Sequence, residues 1–273
     1  MNLKKIGNTG IEVAAVGIGT WEIGGGLSPD KSKDSEGIQA IKKGIELGMT
    51  LIDTAEKYAD GHAEELVGEA IRSFSRDNLF IVSKVWPDHL HYDEVLKAAE
   101  RSLRRLGIDR LDLYLVHHPN PDVPLQETMA AMEELVRRGM VKSIGVSNFN
   151  VEQMEEAGSC LENNEIIVNQ LPYSLLDRDI EKEVLPYCAQ KNITVMAYWP
   201  LSRGRLAKDE FLSNIGENYG KTPAQVAINW LINHENVIAI PKATNPEHLK
   251  QNAEAANWRL SKNDIELISS HFQ

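Results

Sequence analysis

The sequence predicts a (β/α)8 barrel preceded by a short β-hairpin, and three observations carry the prediction. Short apolar runs alternate with longer runs of helical period along the chain. There are eight of the short runs, and 273 residues is a length that suits eight β-then-α units. Polar residues gather at the C-terminal ends of those runs, where such barrels build their sites. An open doubly wound sheet fits this alternation less well.

The first fifteen residues stand outside the repeat. Gly7-Asn8-Thr9-Gly10, between Leu3-Lys4-Lys5 and Ile11-Glu12-Val13, reads as a hairpin turn. Strands are expected at Val16–Gly19, Leu51–Asp53, Leu79–Lys84, Leu111–Val116, Ser143–Ser147, Ile166–Gln170, Thr194–Tyr198 and Val237–Ile240. They are apolar almost throughout, as parallel strands covered on both faces must be. Between them, apolar residues recur at helical spacing: Ile38, Ile41, Ile45; Leu66, Val67, Ala70, Ile71; Val95, Leu96, Ala99, Leu103, Leu106; and Leu125, Met129, Met132, Leu135, Val136. Thr222-Pro223-Ala224-Gln225 carries a helix cap, a first-turn proline and a capping-box glutamine. Asn245-Pro246 repeats the cap and proline, and Ser261–Phe272 reads as a short capped tail helix. No Pro/Gly/Ser linker, charge block or low-complexity stretch interrupts the chain, so one domain over 1–273 is expected.

Lys and Arg number 29 against 40 Asp and Glu, a net charge of −11. That balance disfavours nucleic acid, which needs a basic face to displace counterions, and equally an anionic membrane. No apolar run approaches the ~18 to 20 residues that span a bilayer. The lysines near the start are followed by no apolar stretch of the secretory kind. Cys160 and Cys188 are too few for a disulfide framework and read as two buried free thiols. The expectation is a cytoplasmic protein that acts on a small molecule and holds no metal.

The polar residues at or just beyond the strand ends are Thr20, Trp21, Asp53, Lys84, Trp86, His117, His118, Ser147, Asn148, Gln170, Tyr198 and Lys242. Four groups have a joint chemistry: Asp53, Tyr58 five residues later, Lys84 and His117. A tyrosine at pKa ~10 is a weak acid at neutral pH. A nearby ammonium is expected to lower that value and ease proton transfer. A carboxylate keeps a buried ammonium charged and in place. A histidine beside the hydroxyl donates to the substrate oxygen and orients it. The set suits protonation of a carbonyl oxygen as hydride reaches the carbon.

Seven strings then carry a resemblance. DTAEKY (53–58), VSKVW (82–86), LDLYLVHHP (111–119), IGVSNF (144–149), VNQ (168–170), AYWPLSRG (197–204) and IPKATNPEHLKQN (240–252) resemble the aldo-keto reductases. They occur in order, and the match runs from the hairpin to about Asn257. The resemblance implies a (β/α)8 barrel that binds NADPH, with NADH as the weaker alternative, reduces aldehydes and ketones to alcohols, and works as a monomer. The sequence correspondingly lacks a GxGxxG between a strand and a helix. By matched position Tyr58 is implied as general acid, tuned by Lys84 and Asp53, with His117 orienting the carbonyl. Ser147, Asn148 and Gln170 match the residues that hold the nicotinamide carboxamide, and Tyr198 the ring that stacks on it.

Further cofactor contacts are implied at Thr20, Trp21 and Asp53, and along Trp199, Pro200, Leu201, Ser202, Arg203 and Gly204, a loop resembling the one that closes over the pyrophosphate. Lys242, Ala243 and Thr244 lead into the helix start at Asn245-Pro246, where the adenosine 2′-phosphate is implied, with Gln251 and Asn252 near the adenine. His248 stands where an arginine often grips that phosphate, which predicts a narrower NADPH preference. The substrate pocket is expected from Trp21, Tyr58, Trp86, His117 and His118, with Trp199 a further wall. His118 replaces a common tryptophan and predicts tolerance of a polar substituent. A metal-dependent hydrolase using His117, His118, Asp53, His62, His89 and His91, and a nicotinamide-binding redox sensor, are the competing readings.

Overall fold

The computed structural model describes residues 2–273; Met1, the first residue of the expected 1–273 unit, lies outside them. Strands β1 (Leu3–Lys5) and β2 (Glu12–Ala14) form the expected hairpin, antiparallel, with Leu3 opposite Ala14 and Lys5 opposite Glu12. Eight parallel strands follow: β3 (Ile18–Gly19), β4 (Leu51–Asp53), β5 (Phe80–Val85), β6 (Leu111–Val116), β7 (Val141–Ser147), β8 (Ile166–Pro172), β9 (Thr194–Tyr198) and β10 (Val237–Ala239). Each pairs with the next in sequence. The ring closes through one bridge, Val16 to Ala239, with Gly17 N–H donating to Ala239 O at 2.8 Å and Ala239 N–H to Ala15 O at 3.1 Å. All eight expected strands form. The first is shorter than its apolar run, because Val16 and Gly17 serve that closing seam.

The helices are α1 (Asp34–Glu46), α2 (His62–Ile71), α3 (Tyr92–Leu106), α4 (Leu125–Arg137), α5 (Val151–Ser159), α6 (Val184–Gln190), α7 (Glu210–Glu217), α8 (Pro223–Ile232), α9 (Pro246–Glu254) and α10 (Lys262–His271). Eight alternate with the barrel strands; α7 and α10 stand outside the repeat. The caps form as the sequence predicts. Thr222 accepts from Gln225 N–H while the Gln225 side chain accepts from Thr222 N–H at 3.0 Å. Asn245 accepts from Glu247 N–H at 2.8 Å, and Ser261 from Asp264 N–H at 3.1 Å. Helix α7 was not anticipated from the sequence. It starts at Asp209, whose carboxylate accepts from Leu212 N–H at 2.9 Å, and it buries Leu212 and Ile215.

Two cores result. One lies between strands and helices. The other fills the ring: Leu51, Phe80, Val82, Leu113, Leu115, Val168, Met196, Ile238 and Ile240, with Ile6 and Val13 of the hairpin closing its N-terminal end. The hairpin is pinned there. Gly7, at φ +52°, passes so near Ile167 that a Cβ would meet its Cβ at 2.7 Å. Lys4 Nζ donates to the carbonyls of Ile232, His234 and Val237, the last at 2.8 Å, tying β1 to the end of α8 and the start of β10. Burial lowers its pKa to about 8. Cys188 is buried as expected, but Cys160 is only half-buried, because it caps the surface end of α5.

Candidate active site

Strand alternation builds the site. Side chains two apart share a face, so the inward row of β4 runs Leu51 to Asp53, that of β5 Phe80, Val82, Lys84, and that of β6 Leu113, Leu115, then His117. Apolar residues fill the lumen, and the last member of each row is polar. Tyr58 reaches the same level from the turn after β4, its ring buried. Behind β5 the opposite alternation sends Ser83 outward. There it donates to the buried Glu64 at 2.5 Å, which also accepts from Arg105 Nε at 2.6 Å.

Lys84 is fully buried, and its ammonium makes three hydrogen bonds: to Asp53 Oδ2 at 2.8 Å, Thr54 O at 2.9 Å and the Tyr58 hydroxyl at 3.0 Å. Burial opposes that charge, but the facing Asp53 carboxylate outweighs it, helped by Tyr58, and the lysine pKa is raised. Lys84 therefore stays an ammonium at neutral pH. Tyr58 corrects the sequence expectation. Lys84 does pull its pKa down, but burial pushes harder and Asp53 adds to the push, so the net direction is up. The hydroxyl thus holds its proton at neutral pH.

His117 faces Tyr58 with ring centroids 5.7 Å apart and stacks on His118 at 5.1 Å. Burial and then the Lys84 charge depress its pKa to about 2, so the imidazole is neutral. His118 is half-buried and shifted down for the same two reasons. Trp86 stands edge-to-face to His117 at 5.1 Å and to His118 at 5.7 Å, and Trp21 to Tyr58 at 5.1 Å. The five expected pocket side chains are thus brought together. Trp199, the further expected wall, stands edge-to-face to Tyr198 with ring centroids 5.1 Å apart. It is 43% exposed, and the Arg203 guanidinium lies 4.1 Å from its ring centre.

The expected nicotinamide-holding residues lie beside this cluster and bond to one another. Gln170 Nε2 donates to Asp53 Oδ1 at 2.7 Å, and Ser147 Oγ donates to Gln170 O at 2.9 Å. Asn148 donates to His117 O at 3.0 Å and accepts from the Tyr198 hydroxyl at 2.8 Å. Its φ of 63° is left-handed, a conformation asparagine tolerates better than most residues. Thr20 is turned inward, its hydroxyl donating to Asp53 O at 2.9 Å.

The loop after β9 is strained. Trp199, Ser202 and Arg203 have φ of 49°, 47° and 56°. Pro200 is buried, Leu201 and Ser202 are half-buried, Gly204 is exposed, and Ser202 Oγ meets Ser174 Oγ at 2.7 Å. Past β10, Lys242 and His248 are exposed, Ala243 and Asn252 buried, and Gln251 bonds to Glu247. A groove of about 470 Å³ between α1 and α9 is lined by Gln39, Lys43, Thr244, Asn245 and Pro246. A larger one, about 950 Å³, lies at the hairpin end and includes Lys4, Asn8, Asn236 and Arg259, none of them expected site residues.

The histidines of the hydrolase reading do not converge. His62 bonds to Asp34 and Glu65, His89 to Glu56, and His91 to Glu127, while Asp53 is taken by Lys84 and Gln170. Among the described residues, no three His, Cys, Asp or Glu side chains form a metal-holding group. Glu56 and Lys57, inside the DTAEKY string, were not singled out from the sequence. Their partners lie across the next loop, where no spacing signal points.

A buried tyrosine hydroxyl, an ion pair and a neutral imidazole thus meet at the C-terminal mouth of a parallel barrel. A sequence profile described as the aldo/keto reductase family matches residues 15–273. The chain belongs to that family. It is 40% identical to methylglyoxal reductase YeaE of Escherichia coli K12, over 96% of this chain and 92% of that protein. It is 36% identical to the glyoxal reductase of Bacillus subtilis, over 96% and 90%. Among solved structures, the thermostable aldo-keto reductase Tm1743, in complex with the inhibitor epalrestat, superposes with a TM-score of 0.95 at 46% identity, covering 99% of both chains. An aldo-keto reductase from Klebsiella pneumoniae in complex with NADPH gives 0.92 at 40% identity, covering 100% of this chain and 96% of that one.

Proposed function

We propose that the chain reduces small aldehydes and ketones, 2-oxoaldehydes among them, to alcohols, with NADPH as reductant. The observation that carries this is the Tyr58 hydroxyl held 3.0 Å from an ammonium that is itself fixed by Asp53. That arrangement orients a neutral phenol whose proton is available to a substrate oxygen. The names of the E. coli and B. subtilis relatives and the NADPH complex of the Klebsiella protein support the same reading.

The residues present fit the cofactor. Gln170 commits one amide N–H to Asp53, and its Oε1 takes no hydrogen bond among the described residues, leaving an acceptor for a carboxamide N–H. Tyr198, tethered by Asn148, is a half-buried ring suited to stacking. At α9 the helix start and Lys242 suit a phosphate, and the adjoining groove has room for an adenosine. When bound, NADPH supplies a hydride equivalent to the carbonyl carbon. The chain does the rest. His117 donates its single N–H to the carbonyl oxygen, Tyr58 transfers its proton there, and Lys84 stabilises the phenolate left behind, its own charge held by Asp53. Trp21 and Trp86 exclude water on either side.

We further read the chain as one catalytic unit over 1–273, working as a monomer in the cytoplasm. Two free thiols agree with a reducing compartment. No helix among the described residues is long and apolar enough to cross a membrane. The test is oxidation of NADPH by purified protein against a panel of aldehydes, ketones and 2-oxoaldehydes. Turnover of several is expected. Tight NADPH binding with no carbonyl consumed would overturn the reading in favour of a redox sensor.

A further inference from the structure

We propose that Lys57 is a second cationic position of the substrate pocket, one that reads a carboxylate carried on the far side of the reacting carbonyl. The inference rests on the carbonyl-reductase reading above and adds a substrate class to it: short oxo acids, with the aldehyde or ketone at one end and the carboxylate at the other.

Lys57 immediately precedes Tyr58 in the turn after β4. The tyrosine ring is buried beside Lys84, whereas Lys57 remains half-buried and sets its ammonium 5.2 Å from the centre of the Trp86 ring. That same ring stands 5.1 Å from His117 and 5.7 Å from His118. The catalytic imidazole and the Lys57 charge therefore both lie against one indole. A substrate with its carbonyl oxygen at Tyr58 and His117 can lay a short apolar spacer along that wall and bring a terminal carboxylate to the ammonium.

The wall is itself fixed. Glu56 Oε1 accepts from Trp86 N–H at 2.8 Å and pairs with His89 Nδ1 at 2.9 Å, and Arg101 lies 3.5 Å from Oε2. The negative charge next in sequence is thus already matched by partners other than Lys57. Lys57 forms no ion pair and no side-chain hydrogen bond among the described residues, whereas Lys97 and Lys142 are paired with Glu94 and Asp112. The second cation of the mouth, Lys84, has its donors committed to Asp53, Thr54 and Tyr58. His118 is held neutral by burial and by Lys84. In a chain of net charge −11, Lys57 is an uncommitted positive charge against the pocket wall.

The experiment measures kcat/KM with NADPH for 4-oxobutanoate and for butanal, two aldehydes of equal length that differ in the carboxylate. The parent, Lys57→Met, Lys57→Arg and Lys57→Glu are compared at low and high salt. A half-exposed charge-assisted contact predicts that the oxo acid/aldehyde ratio falls about 10-fold in Lys57→Met, is restored by Lys57→Arg and falls further in Lys57→Glu. The parent ratio should also shrink with salt, which a packing role would not cause. A ratio unmoved by both Lys57→Met and Lys57→Glu overturns the inference while leaving the reductase reading intact. If the parent consumes neither aldehyde, the reductase reading fails, and calorimetry then judges Lys57 separately. Binding of 4-hydroxybutanoate to the NADPH-loaded parent that is lost in Lys57→Glu upholds the inference, and equal binding overturns it.

Discussion

The side-chain amide of Gln170 donates to Oδ1 of Asp53 at 2.7 Å, while Oδ2 of the same carboxylate takes Lys84 at 2.8 Å. One buried carboxylate thus joins the strand bearing the ammonium to a strand of the expected cofactor side. Gln170→Ala leaves Oδ1 without that donor, and about 1–3 kcal/mol of stability should be lost. Denaturant unfolding reads this directly. Cofactor affinity should fall in the same variant, whereas a purely structural bond would leave it untouched.

Tyr58→Phe should remove nearly all carbonyl reduction, about 10²- to 10⁴-fold or more, while NADPH still binds. Phenylalanine keeps the ring contacts with Trp21 and His117, so the fold should survive. Steady-state rates with a fluorescence titration of cofactor decide it. Half of the parent activity in the variant would remove Tyr58 from the mechanism.

Lys84→Met strands Asp53 as a buried charge facing only Gln170 and should cost about 3–5 kcal/mol. The double variant Asp53→Asn, Lys84→Met removes both charges and should be more stable than Lys84→Met alone. Thermal unfolding of the parent, Lys84→Met, Asp53→Asn and the double variant tests the coupling; simple additivity of the two changes would refute it.

His117 has its pKa pushed down to about 2, so its charge does not change in the working range. Between pH 5 and 8, kcat/KM for a neutral aldehyde should show no step owed to this ring. A step in the parent that disappears in His117→Gln would contradict the assignment.

His62 behaves oppositely. Burial disfavours its proton, but hydrogen bonds to Glu65 at 2.8 Å and Asp34 at 3.0 Å prevail and raise its pKa. A raised histidine pKa means stability fully present below the unfolded value of ~6.5 and lost as pH climbs through the folded one. The parent should therefore exceed His62→Gln by more at pH 5.5 than at pH 8.5, by about 1 kcal/mol given the exposed Glu65 partner. A melting-temperature gap that is constant with pH would argue against a charged bridge.

Asp53, Lys84 and His117 were legible in the sequence because strand alternation is rigid: a polar residue ending an apolar row has only the barrel mouth to enter. Tyr58 lies in a turn and became legible by its company. The direction of its pKa was not, since an adjacent ammonium can be inferred from neighbours but the depth of burial cannot. Helix α7 escaped because eight residues show barely two turns of period. Glu56 escaped because its partners, the Trp86 backbone N–H, His89 and Arg101, lie on later elements that no spacing joins to it. The strain of the loop at Trp199, Ser202 and Arg203 was not legible either, because strand-end position fixes where a loop starts and not the path it takes.

The hairpin that closes the barrel floor gives the molecule an order of assembly. Lys4 and the carbonyls it meets lie 228 to 233 positions apart, and the closing seam joins Val16 to Ala239. The hairpin is therefore tied to segments far along the chain, at Ile167, Thr194 and Val237. Until Val237 leaves the ribosome, Ile6 and Val13 have no complete floor to cover, and the growing sheet keeps an open edge on each side. Contacts of this range form late and slowly. The nascent barrel therefore stays an unclosed ribbon until β10 is made, and the Val16–Ala239 seam is the last to be locked.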